Sequence, residues 1–211
     1  MSDTARQVSA GNPCPFLRAL VAQGLLPDDT APLGEVARVI DVVARAGDDP
    51  ASLGEVAIRT IALIANGLGP GALLRNASQG LHLNQLRDGP LDKHGAGSRL
   101  LDAQARFDAA QWAHLEGFAS EKTAADGSRE PGLDLRELTR MMDANFERAA
   151  GHRRRVDRAL MNGEWPILLK VLGKAGANGR YLSLAELREL VEHRRLPGRV
   201  MARLQGPVAA G

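Results

Sequence analysis

Apolar residues along most of this chain recur with helical spacing rather than in alternation. Leu33, Val36, Ala37, Ile40, Val43 and Ala44 fall at intervals of three and four, which predicts one amphipathic helix ended by Gly47-Asp48-Asp49-Pro50. Ser52 and Glu55 form a capping box before Leu53, Val56, Ala57, Ile61 and Ile64, a second helix closing at Gly67. The glycine-rich stretch 66–80 reads as a loop, and Leu81–Leu86 as a short connecting segment. A longer helix is predicted from Leu101, with Ala105, Trp112, Leu115 and Phe118 on one face, followed by a polar loop from Ala124 to Pro131. Leu135, Leu138, Met142, Phe146 and Ala149 make the next stripe. A helical stretch from Arg154 to Leu172 should end or kink near Pro166. Ser183 and Glu186 announce a last helix as a capping box, with Leu187, Leu190 and Val191 on its apolar face and Arg195-Leu196-Pro197 at its end. Strand signals are nearly absent and no internal repeat is apparent. The expectation is an all-α, single-domain fold of roughly eight helices, spanning 1–211 with loose termini at 1–11 and 205–211.

Composition narrows the function classes. Lys plus Arg total 27 against 25 Asp plus Glu, so the net charge of +2 gives no strong pull toward nucleic acid or an anionic membrane. No stretch approaches the roughly 18 consecutive apolar residues of a membrane helix, and residues 1–12 lack the apolar core of a signal peptide. A soluble, cytoplasmic protein is therefore expected. The run His152-Arg153-Arg154-Arg155 reads as a solvated face, and His82 and His114 as structural or surface residues. Asp126-Gly127-Ser128 with Glu130 faintly resembles a calcium loop, but the required ligand spacing is absent and the segment reads as a turn.

One residue concentrates the chemistry. Cys14, the chain's single cysteine, excludes an internal disulfide and lies between Pro13 and Pro15. Proline is well accommodated at the first helical position, so Pro15 begins a helix and Cys14 caps it. The sulfur then faces the N–H groups of Phe16 and Leu17 and the positive end of the helix dipole, which is expected to lower its pKa. A thiolate held in this way is a soft metal ligand or a nucleophile.

The segment Asn12-Pro13-Cys14-Pro15-Phe16, continued by Leu17, Ala19, Leu20, Gly24, Leu26 and Pro27, resembles the proximal haem segment of the haem-thiolate peroxidases. These are the family of chloroperoxidase and the unspecific peroxygenases, and the chain looks like a short, bacterial-type member. The resemblance implies a helical haem-binding fold of the chloroperoxidase type, one haem b, Cys14 as the axial iron ligand, and Pro13, Pro15, Phe16 and Leu17 around it. Leu91-Asp92-Lys93-His94-Gly95 looks like the family's Glu-His-Asp segment: His94 matches, while Lys93 stands for the glutamate and Gly95 for the aspartate. In relatives that glutamate helps hold a divalent cation against a haem propionate. With the carboxylate lost, the Lys93 ammonium is expected to replace the metal's charge there, with Ser98 on the same cofactor-binding segment.

Asn162-Gly163-Glu164-Trp165-Pro166 resembles the family's distal Gly-Glu pair. On that alignment Glu164 is the acid–base catalyst, His94 its partner, and Trp165 narrows the pocket. Long extracellular relatives carry an arginine at the position of Asp157, whereas shorter ones use a histidine. The implied activity is hydrogen peroxide-dependent oxygenation, peroxidation or halogenation of a small organic substrate. The rival reading is a haem-binding sensor, carrier or partner-binding protein of the same fold without peroxygenase turnover.

Overall fold

Two dipeptides, Asp126-Gly127 and Asn178-Gly179, set the topology of the C-terminal half. Gly127 at φ 84° and Gly179 at φ 108° adopt backbone conformations that side chains disfavour, and each sits at the tip of a β-hairpin. The structure, a computed structural model, describes residues 7–48, 80–87, 99–155, 157–162 and 164–206. The predicted helix with its Ser52–Glu55 capping box lies outside them.

In chain order the elements are α1 (Pro15–Ala22), β1 (Thr30–Ala31), α2 (Leu33–Arg45), β2 (Leu81–His82) with a short 3-10 turn after it, and α3 (Ala109–Glu116). Then come β3 (Ser120–Thr123), β4 (Arg129–Asp134), α4 (Leu135–Arg148), α5 (Asp157–Met161), α6 (Trp165–Leu172), β5 (Lys174–Gly176), β6 (Gly179–Ser183), α7 (Leu184–His193) and α8 (Gly198–Gln205). The fold is mixed α/β, which corrects the all-α expectation. β1 pairs with β2, and a second antiparallel sheet runs β3-β4-β6-β5. Its two inner strands meet with Leu133 opposite Leu182 and Asp134 opposite Tyr181. Just beyond β3, Ala124 forms an isolated antiparallel bridge with Gly176 of β5.

The strands escaped the periodicity reading because they are short and polar. Ser120, Glu121, Thr123, Arg129 and Pro131 are exposed, so no apolar alternation marks them. Pro131 pairs only with Glu121 on β3, because the β6 register begins at Gly132. A residue without an N–H is tolerated where a strand has one neighbour.

Several helix boundaries moved for local reasons. Helix α3 starts at Ala109 rather than near Leu101. The Asp102 carboxylate accepts from the N–H groups of Gln104 and Arg106 and folds that stretch into a turn, while Asp108 caps α3 through Ala110 and Gln111. Pro166 lies in the first turn of α6, so it begins a helix instead of ending one. The Ser183–Glu186 capping box does not form: Ser183 donates its hydroxyl to Glu130 at 2.6 Å, and Arg199 holds both oxygens of Glu186 at 3.0 Å. A capping box forms instead between Asp134 and Glu137 on α4. Helix α8 was not predicted, and its final residue, Gln205, lies in the stretch expected to be loose.

The core runs under both halves. Leu133 and Leu138 are fully buried, with Leu182, Leu187 and Leu190 beside them in the same cluster. α1 packs on α7 and α2 on α6, so the N-terminal helices rest on the helices flanking β5 and β6. Among the described residues no helix is long and apolar enough to cross a membrane. Leu133→Ala should cost about 2–5 kcal/mol, read as a lower urea midpoint with an unchanged slope; a loss under about 0.5 kcal/mol would mean that the inner-strand contact contributes little.

Candidate functional site

The loop before α1 is tied down on several sides before it delivers Cys14. Ser9 donates its N–H to the Asp28 carboxylate at 2.9 Å, and Gly11 offers its carbonyl to the N–H groups of Leu86 and Arg87. Gly11 packs so tightly that a Cβ there would lie 1.8 Å from the Asn84 carbonyl oxygen, so only glycine fits. Asn12, fully buried, accepts the Cys14 N–H on its side-chain oxygen at 3.1 Å, an Asx turn that sets the entry into the helix. Beneath it, Arg18 is 4% exposed and donates to the carbonyls of Ser9 at 2.5 Å and Asn12 at 3.1 Å. The sequence signal for this support is an arginine one turn after the capping cysteine.

Cys14 caps α1 from an extended conformation, with Pro15 in the first turn as expected. The Cys14 side chain makes no capping hydrogen bond, but the backbone N–H groups of Leu17 and Phe16 lie beside the sulfur and favour the thiolate electrostatically. The net effect is nevertheless the reverse of the expectation. Burial, joined by the negative charge of Glu164, outweighs those donors and the Arg18 charge, and pushes the thiol up to about 11. The residue keeps partial access to solvent. By itself, then, Cys14 is a protonated thiol near neutral pH, and only added positive charge would make it a thiolate.

Glu164 caps α6 without bonding its own helix through the side chain, and its carbonyl accepts from Leu168 N–H at 2.9 Å. The two candidate side chains thus occupy corresponding places, each at a helix start followed closely by proline. Although 150 residues separate them in sequence, the carboxylate is near enough to act on the sulfur. Trp165, next to Glu164, is 2% exposed and belongs to the core. Its indole N–H and the Asn12 side-chain amide are buried donors with no hydrogen-bond partner among the described residues. Pro13, Pro15, Phe16 and Leu17 are half-buried around Cys14. Lys93, His94, Gly95, Ser98 and Gly163 lie outside the described residues.

Other sequence candidates have structural partners. His82 meets the Thr30 hydroxyl at 2.9 Å across the small sheet, and His114 meets the Asn145 amide oxygen at 3.2 Å. Within the basic run, the Arg153 guanidinium lies 3.9 Å from the centre of the Phe146 ring, and Arg154 pairs with Asp157 at 2.6 Å.

The arrangement offers one soft ligand at a helix N-terminus, backbone donors aimed at it, and a carboxylate that senses its charge. Among the described residues no group of three or more His, Cys, Asp or Glu side chains is placed to hold a metal ion. Because Glu164 raises the cost of the thiolate, Glu164→Gln should lower the Cys14 pKa and speed alkylation by iodoacetamide below about pH 9. In the unsubstituted protein the rate should climb about tenfold per pH unit toward a plateau near 11. Identical profiles for the two proteins would separate Glu164 from the sulfur. No protein-family model, curated protein or solved structure matches the chain.

Proposed function

We propose that the chain is a haem-thiolate peroxidase or peroxygenase that binds one haem b through Cys14 and uses hydrogen peroxide to oxidise a small organic substrate. The observation that carries this reading is the action of the Glu164 charge on the Cys14 sulfur. It supports the reading because the chain's single cysteine and the acid–base candidate of the resemblance lie within electrostatic range of each other. The residues fit the group. A thiol held near 11 by burial gives up its proton once a cation of high charge binds it, because a coordinating metal inverts the local pKa logic. A single protein ligand suits an iron whose other ligands come from a macrocycle.

When bound, the haem supplies the iron on which the peroxide O–O bond is cleaved, and an electron-rich thiolate promotes that cleavage. The protein's share is positioning and proton transfer. Asn12 and Arg18 fix the loop that aims Cys14, and the Phe16 and Leu17 N–H groups hold charge on its sulfur. The Glu164 carboxylate accepts a proton from one peroxide oxygen and returns it to the other as water leaves. By the resemblance, His94 would orient that carboxylate, and Lys93 with Ser98 would hold a propionate by charge and hydrogen bonding.

The test is spectroscopic first and kinetic second. Reconstituted with haem, reduced and exposed to carbon monoxide, the protein should show the red-shifted Soret band of a thiolate-ligated haem, and Cys14→His should lose it. Absence of the band in the unsubstituted protein would overturn the proposal. Glu164→Gln should keep the band and lose at least about 100-fold in peroxide turnover. A band without any peroxide turnover in the unsubstituted protein would favour the sensor or carrier reading.

A further inference from the structure

Among the described residues three charged side chains are buried: Glu137, Asp157 and Arg18. The two carboxylates have cations on them, Lys122 at 2.7 Å from Glu137 and Arg154 at 2.6 Å from Asp157. Arg18 lacks such a partner. Its guanidinium donates to the Ser9 and Asn12 carbonyls, and among the described residues no carboxylate stands within ion-pair distance of it. The charge of Asp28 reaches Arg18, but that carboxylate is turned to the Ser9 N–H, which lies 2.9 and 3.1 Å from its two oxygens. Arg87 and Arg194 repel the guanidinium. Both are held near it: Arg87 donates to the Ala10 carbonyl in the same loop, and the Arg194 carbonyl accepts the Gln23 side-chain amide at the end of α1.

The place is unfavourable for a cation on three counts. A buried guanidinium has lost its water, and it stays charged because arginine is not deprotonated in proteins. Two like charges act on it. Its own helix gives no help either. Side chains tilt toward a helix N-terminus, so Arg18 reaches back from α1 to the loop before it, where the positive end of the helix dipole disfavours a cation. Tying two carbonyls together does not explain the charge, because a neutral glutamine amide also carries two N–H donors. A negative charge that arrives with ligand binding does explain it.

The Cys14 sulfur is where such a charge forms. Cys14 and Arg18 are four residues apart, and the Arg18 N–H donates to the Cys14 carbonyl at 3.0 Å, which puts them on one face of the helix. The guanidinium bonds the Asn12 carbonyl while the Asn12 amide oxygen holds the Cys14 N–H at 3.1 Å, so cation and cysteine are anchored to the same residue. Each feels the other's charge. On the haem-thiolate reading, we propose that Arg18 is a positioning residue whose guanidinium is the built-in counter-charge for the thiolate that Cys14 presents to iron, and that it holds the bound haem toward its reduced state. Reduction of the ferric group adds one electron, and a nearby cation stabilises the more negative ferrous form. Because the cation is buried, salt screens it little.

The full chain reconstituted with haem tests this through its reduction potential, with the carbon monoxide spectrum as the check on ligation. R18Q should keep the red-shifted Soret band and shift the ferric–ferrous equilibrium about tenfold toward ferric, which is about 59 mV for one electron. R18K, which keeps the charge, should stay within about twofold of the unsubstituted protein. An R18Q potential equal to that of the unsubstituted protein would sink the idea. So would an R18K that moves as far as R18Q, because geometry and not charge would then be responsible. Should R18Q fold without haem but lose the band while R18K retains it, the proposal stands; loss of the band in both would leave Arg18 a structural support only. If R18Q does not fold, R18K decides: a potential within about twofold of the unsubstituted protein upholds the counter-charge, and a larger shift or a failure to fold overturns it. Absence of the band in the unsubstituted protein would bring down the haem-thiolate reading itself, whereas an intact band with an unmoved R18Q potential brings down this inference alone.

Discussion

The pairing of β4 with β6 is the contact on which the rest of the structure rests. With Leu133 opposite Leu182, it fixes the two hairpins back to back, and each hairpin leads straight into a helix of the core. Strand pairing has a period of two, so a slip by one residue would turn both leucines out of the core and swing α4 and α7 with them. α1 lies on α7 and α2 on α6. Helices α1 and α2, and Cys14 with them, are therefore referenced to a sheet that begins about a hundred residues after Cys14 in the chain.

That dependence explains how a thiol and a carboxylate so far apart in sequence come to share a site. Cys14 is aimed locally by the Asn12 turn and the Arg18 guanidinium, and Glu164 by the break between α5 and α6. Neither local device brings them together; the packing of α1 on α7 and of α2 on α6 does. The result is an electrostatic tension in which backbone donors favour the thiolate while burial and the carboxylate oppose it. A site so poised releases a proton when a cation binds, which is useful for ligating a metal and unhelpful for a free nucleophile.

Basic side chains throughout the C-terminal half serve as internal counter-ions. Lys122, Lys174 and Arg199 each close on carboxylates that would otherwise be partly buried without a partner, and removing one partner of such a pair is far costlier than the pair's net contribution. Arg199 also reaches Asp48, joined there by Arg203, so α8 is fastened to the end of α2 by charge as well as by packing.

Local chemistry was legible in the sequence. The prolines flanking Cys14 and the amphipathic stripe over 33–44 fixed α1 and α2, because capping and helical periodicity act within one or two turns. The hairpin tips were written as Asp-Gly and Asn-Gly, a signal stronger than the polar strands around them and the one that would have shown the sheet. Beyond local range the sequence was silent. It could not tell that the Ser183 hydroxyl and the Glu186 carboxylate would be taken by Glu130 and Arg199, leaving the expected capping box unmade while Asp134 and Glu137 formed another. Nor could it give the sign of the Cys14 shift, since the helix start is a local donor but burial and a carboxylate from α6 are not. Local propensity chose the helices and the turns; only the tertiary structure, by deciding which charges meet and which are buried, set what those residues are poised to do.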